Sequence, residues 1–368
     1  MATTRLSFIV ALLLSLLVLL VFLTHFNQKE KQNPSLLSAI HEVIRTRARD
    51  KVSYTHFNQS RDVKNEVTSD VLASNDAAKV RPDFSKVQML LLFIGYPRSG
   101  HTLVACLLDA HPHVMLSNEY NLIHKWPELS DLQKNREFLF SELYGNAVGF
   151  VASDAHKRSD VKSEVGGKVQ HKVTAVFNYS VPHQWNGQYD EYIQVIGDKK
   201  GGGTTRAFES FRHKFNIKDI AEVMGVPIRF IHVIRNPFDN IATMAIRSVT
   251  TRQFISDGGV LNDSDTLKSE VKHYFSLVNI NRQLHSILHV MDVHSADIIE
   301  NPEKTLLRIC EFLEIECDEK YLRDCASIVF PSPSKTRNNV VWPPKVINEV
   351  YSHMRKYNFL TRYNFMSN

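Results

Sequence analysis

The chain is poor in cysteine, and its four cysteines, Cys106, Cys310, Cys317 and Cys325, form neither a CxxC pair nor a cluster with histidine at ligand spacing. That excludes zinc-ribbon and thioredoxin-type motifs, and no metal site is expected. Cys106 and Cys310 fall among apolar helical residues and are expected in the core, whereas Cys317 and Cys325 flank a short helix and could bridge in an oxidising lumen, a pairing the sequence leaves open. Charge of one sign is also scarce. Lys and Arg number 44 against 39 Asp and Glu, a formal net charge of +5, so nucleic acid is not an expected partner but an anionic small ligand is compatible. The absence of an internal repeat excludes solenoid architectures.

Lysine is missing where a nucleotide-binding loop would need it. The apolar run Leu91-Leu92-Phe93-Ile94 leads into Gly95-Tyr96-Pro97-Arg98-Ser99-Gly100-His101-Thr102-Leu103, a strand, a Gly-bounded turn and a helix start. Gly95, Gly100 and Thr102 match the spacing of a phosphate loop, with backbone N–H groups and a helix N-terminus facing an anion, yet His101 stands at the lysine position. The cation lies instead within the loop, as Arg98. A metal-holding Asp is missing too: the second strong strand, Ile228–Ile234, ends in Arg235-Asn236-Pro237. A guanidinium there repels Mg²⁺ and pairs with phosphate, which points to an anionic nucleotide bound without metal and makes a phosphotransferase the weaker alternative.

The segment Tyr96 to Thr102 resembles the 5′-phosphosulfate loop of sulfotransferases that use 3′-phosphoadenosine 5′-phosphosulfate. Val233-Ile234-Arg235-Asn236-Pro237 with Thr243 resembles their 3′-phosphate motif, Thr replacing the usual Ser. Leu108 to Val114 with Asn118-Glu119 is similar to the corresponding stretch of the Golgi tyrosylprotein sulfotransferases. The resemblance implies cofactor contacts from Arg98, Ser99, Gly100, His101, Thr102, Leu103, Arg235 and Thr243, and from Lys335 and Arg337 in a C-terminal loop closing over the nucleotide. It implies catalytic roles for Arg98 and Lys199, which neutralise the leaving phosphate, and for Glu119 as the base that takes the acceptor's proton, its pKa raised by partial burial. Lys200 competes with Lys199 for its role. Glu119 has a helix-capping alternative, and His111 and His113 are alternative bases.

One long apolar run, Leu6 to Leu23, offers about 18 positions for a membrane-crossing helix and lacks a small-x-small cleavage pattern. The expected organisation is a cytoplasmic tail at 1–5, a transmembrane signal anchor at 6–26, a polar stem at 27–86 and a catalytic domain at 87–368. Flanking charge does not orient the anchor; the resemblance implies a type II protein of the Golgi membrane with its catalytic domain in the lumen. Sequons at Asn58, Asn178 and Asn262 are compatible with a glycoprotein. Expected partners are the membrane, a carbohydrate or protein acceptor, and a second copy of the chain in a homodimer.

Strands are expected at Met89–Gly95, Lys172–Phe177, Tyr192–Gly197, Ile228–Ile234 and Ala296–Ile299, with a short one at Val114–Leu116. Helices are expected at His101–Ala110, Thr204–Lys214, Ile217–Met224, Pro237–Ser248, Thr266–His289, Pro302–Leu313 and Lys345–Lys356. This alternation predicts an α/β fold, a parallel sheet with helices on both faces, in the P-loop NTPase-like form that the resemblance implies. The charged stretch His156 to Lys172 is expected as a mobile loop beside the acceptor cleft. Outside transfer chemistry, the alternative is a catalytically inactive nucleotide-binding membrane protein.

Overall fold

The computed structural model describes residues 82–366, apart from 153–156, 159–160, 166–167, 173–176, 212, 215 and 251–259. The chain divides into units Met1–Lys79 and Val80–Asn368, and every described residue belongs to the second. The expected tail, anchor and Asn58, with the stem as far as residue 81, lie outside the described residues.

A parallel sheet forms around β1 (Met89–Gly95), with β2 (Val114–Asn118), β3 (Val195–Lys199), β4 (Ile228–Ile234) and β5 (Val290–His294) in the order β2-β3-β1-β4-β5. Every residue of β1 is buried, which is why it reads as an unbroken apolar run instead of an alternating one. Successive side chains serve opposite faces: Leu91 and Phe93 enter one core, Leu90, Leu92 and Ile94 the other.

The first face packs against α1 (His101–Asp109) and, from the end of the chain, Pro302–Leu313 and Glu319–Ser327; the second packs against α2 (Arg136–Ala152), α3 (Gly202–Phe211) and α4 (Ile217–Met224). A third cluster joins α5 (Pro237–Thr250), α6 (Ser264–His285) and Pro344–Met354 around Tyr96, Phe238 and Tyr274. The chain moves from β1 to one side through β2 and β3, then crosses to β4 and β5. The C-terminal edge of β1 is therefore the switch point at which such sheets bind ligands.

Several expectations are corrected. The strand expected at Tyr192–Gly197 is Val195–Lys199, because pairing with β2 starts at Val195, while Tyr192 stacks on the His113 ring. The last strand is Val290–His294; Ala296–Ile299 lies in the short helix Ser295–Glu300. The expected strand Lys172–Phe177 falls largely outside the described residues. Within the expected loop, Val161–Val165 pairs antiparallel with Lys168–Lys172, a ribbon whose sequence signal was Gly166-Gly167 between two short runs. The helix α2 was missed because its apolar residues, among them Phe138, Leu139, Phe140 and Leu143, do not repeat along a single stripe.

The disulfide joins Cys310 to Cys317, not Cys317 to Cys325. The helix Pro302–Leu313 ends in a left-handed turn at Glu314, which returns the chain so that the two Cα atoms lie 6.2 Å apart. Cys106 and Cys325 are buried thiols.

Arg337, expected to contact the nucleotide, is engaged inside the fold as a tie. It is 2 % exposed; Nη2 and Nε donate to the Asp239 carboxylate at 2.7 and 2.9 Å, and Nη1 donates to the carbonyls of Asn364 and Phe365. This clamps the C-terminal segment onto the first turn of α5. Arg337→Ala strands a buried carboxylate and two carbonyls, so urea unfolding should show a loss of about 3–5 kcal/mol; a change below about 1 kcal/mol would show that Asp239 finds another partner or water.

Candidate functional site

The loop after β1 is held in shape from beneath. Gly95 has φ 142° and Gly100 φ 102°, conformations in which a side chain is strained, and Arg98 between them has φ 69°. His101 occupies the lysine position, but its ring turns inward, with Nε2 3.1 Å from the Ile94 carbonyl and Nδ1 2.9 Å from Ser99 Oγ. Burial pushes its pKa down to about 3, so the imidazole is neutral and structural. A Cβ on Gly201 would stand 2.4 Å from this ring, and one on Gly202 2.8 Å from Pro97 Cδ, so Gly201 and Gly202 allow a close approach to the loop. Sequence reading missed two more supports: Gly95 N–H donates to Thr205 Oγ1, and Asn240 Nδ2 donates to the Pro97 carbonyl.

Above the loop is a cleft of about 780 Å³, lined by Tyr96 to Leu103, Glu119, Lys199, Lys200, Arg235, Thr243, Ser334 and Thr336 among others. The structure thus brings Arg98, Ser99, Gly100, His101, Thr102, Leu103, Lys199, Glu119, Arg235 and Thr243 to one place. Neither Arg337 nor the exposed Lys335 lines it; their neighbours Ser334 and Thr336 do. His111 and His113 do not line it either. His111 bonds the Glu316 carbonyl and His113 the Tyr192 carbonyl, so both rings are engaged away from the cleft.

Arg235 leaves β4 at its C-terminal end. Its Nη1 donates to Thr243 Oγ1 at 3.0 Å and to the Arg98 carbonyl, and its Nη2 donates to Thr336 Oγ1 at 2.8 Å and the Ser334 carbonyl. All four partners are neutral oxygens, and burial shifts its pKa downward. A largely desolvated guanidinium without a carboxylate in its hydrogen-bond set is suited to phosphate. The N-terminus of α1 is similarly ready for an anion, having no side-chain cap at Gly100 and no acidic residue in its first turn.

Glu119 follows β2 with φ 61°. Its backbone is set by Asp198, which is 1 % exposed and accepts the N–H groups of Tyr120, Asn121 and Leu122 at 3.0, 2.8 and 3.0 Å. Asp198, not Glu119, satisfies these helix-start donors. The Glu119 carboxylate instead meets Lys199 Nζ at 3.3 Å and Lys200 Nζ at 2.9 Å. Burial alone would raise its pKa, as the sequence reading expects, but the two lysines outweigh burial and hold it down at about 2. Burial raises the Asp198 carboxyl to about 6 despite its three N–H donors.

The sulfotransferase family model matches residues 91–319, more than half of the chain. None of the curated proteins matches it. Similar solved structures include a sulfotransferase domain from the Synechococcus PCC 7002 olefin synthase, at 15 % identity over 76 % of this chain and 98 % of that one, TM-score 0.40. A Mycobacterium avium sulfotransferase has 11 % identity over 74 % and 77 %, TM-score 0.42. A mouse sulfotransferase complexed with PAP has 14 % identity over 74 % and 86 %, TM-score 0.37.

Because the folded Glu119 carboxyl, at about 2, lies below its ordinary 4.5, its ion pairs stabilise the fold fully above pH 4.5 and are lost as pH falls towards 2. Unfolding of wild type and Glu119→Gln, followed across this acid range, should show their stability difference shrinking as the pH drops. A pH-independent difference would show that the lysine clamp does not operate in solution.

Proposed function

Because the chain belongs to the sulfotransferase family, we propose that it moves a sulfuryl group from 3′-phosphoadenosine 5′-phosphosulfate to a hydroxyl of a carbohydrate or protein acceptor, tyrosine being one protein candidate. The observation that carries this reading is Arg235, a half-buried fork bonded to neutral oxygens, on the same cleft as an uncapped helix N-terminus and the pair Lys199 and Glu119.

In this reading Arg235 and Thr243 receive the 3′-phosphate, and the N–H groups from Arg98 to Leu103 with the Arg98 guanidinium receive the 5′-phosphate. The acceptor oxygen bonds to sulfur as the bond from sulfur to the bridging phosphate oxygen breaks. Lys199 stabilises the charge left on that oxygen, and Glu119 takes the acceptor's proton. Anionic nucleotide draws Lys199 and Lys200 away from Glu119, which removes what holds its pKa at about 2. No step requires a metal.

We place the enzyme in the Golgi membrane, anchored through Leu6 to Leu23 with the catalytic domain lumenal. The Cys310 to Cys317 disulfide and the exposed Asn178 and Asn262 support an oxidising, glycosylating compartment. Among the described residues no helix is long and apolar enough to cross a membrane.

Two measurements test the reading. Purified protein should bind 3′-phosphoadenosine 5′-phosphate without Mg²⁺ and far more tightly than AMP, and Arg235→Ala should weaken that binding by about 2–3 kcal/mol; equal affinity for both nucleotides would sink the assignment. Glu119→Gln should lower transfer of labelled sulfate to glycans or Tyr-containing peptides by about 10²–10⁴ with nucleotide affinity nearly unchanged. Near-normal transfer by this variant would remove Glu119 as the base.

A further inference from the structure

We propose that His232, His285 and Asp292 form a binding site, separate from the cleft, for a divalent cation of the zinc type. His232 lies in β4 directly opposite Asp292 in β5, and His285 is the last residue of α6. Asp292 Oδ1 is 2.8 Å from His232 Nδ1 and 3.0 Å from His285 Nε2, and the two nitrogens are 3.1 Å apart.

Three ligand atoms from separate elements therefore close a triangle that hydrogen bonding serves poorly. With both imidazoles neutral and donating to Oδ1, two N–H groups crowd one oxygen and the edge between the nitrogens joins two donors. With either nitrogen deprotonated, its lone pair faces a carboxylate oxygen. A cation above the triangle accepts all three lone pairs at once. Donors about 2.1 Å from a tetrahedral centre stand about 3.4 Å apart, so the observed triangle needs to open by only a few tenths of an ångström.

Two surrounding features fit a ligated metal. The other ring nitrogen of His232, Nε2, lies 2.9 Å from Tyr96 Oη, so an Nε2–H donated to that hydroxyl leaves Nδ1 as the ligand atom, the usual outer-shell arrangement. The Phe359 ring packs on both imidazoles and forms an apolar wall. His285 and Asp292 side chains are 26 % and 31 % exposed, which provides an entry path and room for water as a fourth ligand. Two nitrogens and one carboxylate oxygen suit zinc better than Mg²⁺ or Ca²⁺. None of the three residues lines the cleft; only Tyr96 belongs to both places, so the cation would brace the phosphate-loop strand without entering the reaction.

The test uses the full chain, stripped with chelator and dialysed. Titration with ZnCl₂ should show a tight equivalent that raises the thermal midpoint, and Co²⁺ in its place should give the visible absorption of a four-coordinate N/O site. His285→Gln and Asp292→Asn, both at partly exposed positions, should each lose that equivalent, the midpoint rise and the cobalt spectrum while the unliganded circular dichroism stays that of wild type. A wild-type chain whose midpoint does not respond to zinc overturns the site whatever the variants do, and so does a response of equal size in both variants. A triangle that is only a hydrogen-bonded ion pair gives one of these two results.

Discussion

The cleft depends on a neutral histidine under a backbone turn. His101 is largely buried, and that desolvation holds its pKa near 3, so its ring carries a single proton at neutral pH. Donating that proton from Nε2 to the Ile94 carbonyl leaves Nδ1 to accept from Ser99, and the ring then fixes both ends of the loop at once. Gly95 and Gly201 exist in contact with this ring because any Cβ there would enter it. Since the residue at the lysine position serves as a floor, the cations on the cleft come from elsewhere: Arg98 in the loop, Lys199 at the end of β3 and Arg235 at the end of β4.

Arg98 is exposed, but Lys199 and Arg235 sit where water is scarce, so their placement has an electrostatic cost. Arg235 bears it most visibly, its charge balanced by hydroxyl and carbonyl dipoles while the nearby Asp239 carboxylate is engaged by Arg337. Were Asp239 free to pair with Arg235, the fork would be occupied and a phosphate would have to displace it. The buried Arg337 to Asp239 pair thus has a second consequence besides holding the C-terminus: it keeps the strand-end guanidinium available for ligand.

Much of this was legible in the chain where the signal is local. The apolar run into Gly95, the Gly100 to Thr102 spacing and Arg235 at a strand end are contiguous patterns, and they led to the sheet, the switch point and the cleft. What the sequence hid is what the fold assembles from afar. Arg337 reads as a loop cation until Asp239 is seen against it, and the Cys310 partner depends on a left-handed turn at Glu314. Asp198 reads as one more strand-end polar residue, yet three backbone N–H groups converge on it. His232, His285 and Asp292 have no ligand spacing along the chain, because the register of two parallel strands and the end of a helix bring them together.

Glu119 shows why a pKa argument from sequence can point the wrong way. Burial does raise it, but Asp198 fixes a backbone that aims the carboxylate between two ammonium groups, and their pull is larger. In the absence of nucleotide the carboxylate is therefore a weak base paired with the very lysines that an anionic donor attracts. In the proposed reaction, one set of charges then performs two successive tasks. The lysines first keep the carboxylate ionised and oriented, and when an anion takes them the same carboxylate gains basicity in a site already shaped around it. Under that proposal, proton acceptance by Glu119 is coupled by charge to occupancy of the phosphate positions.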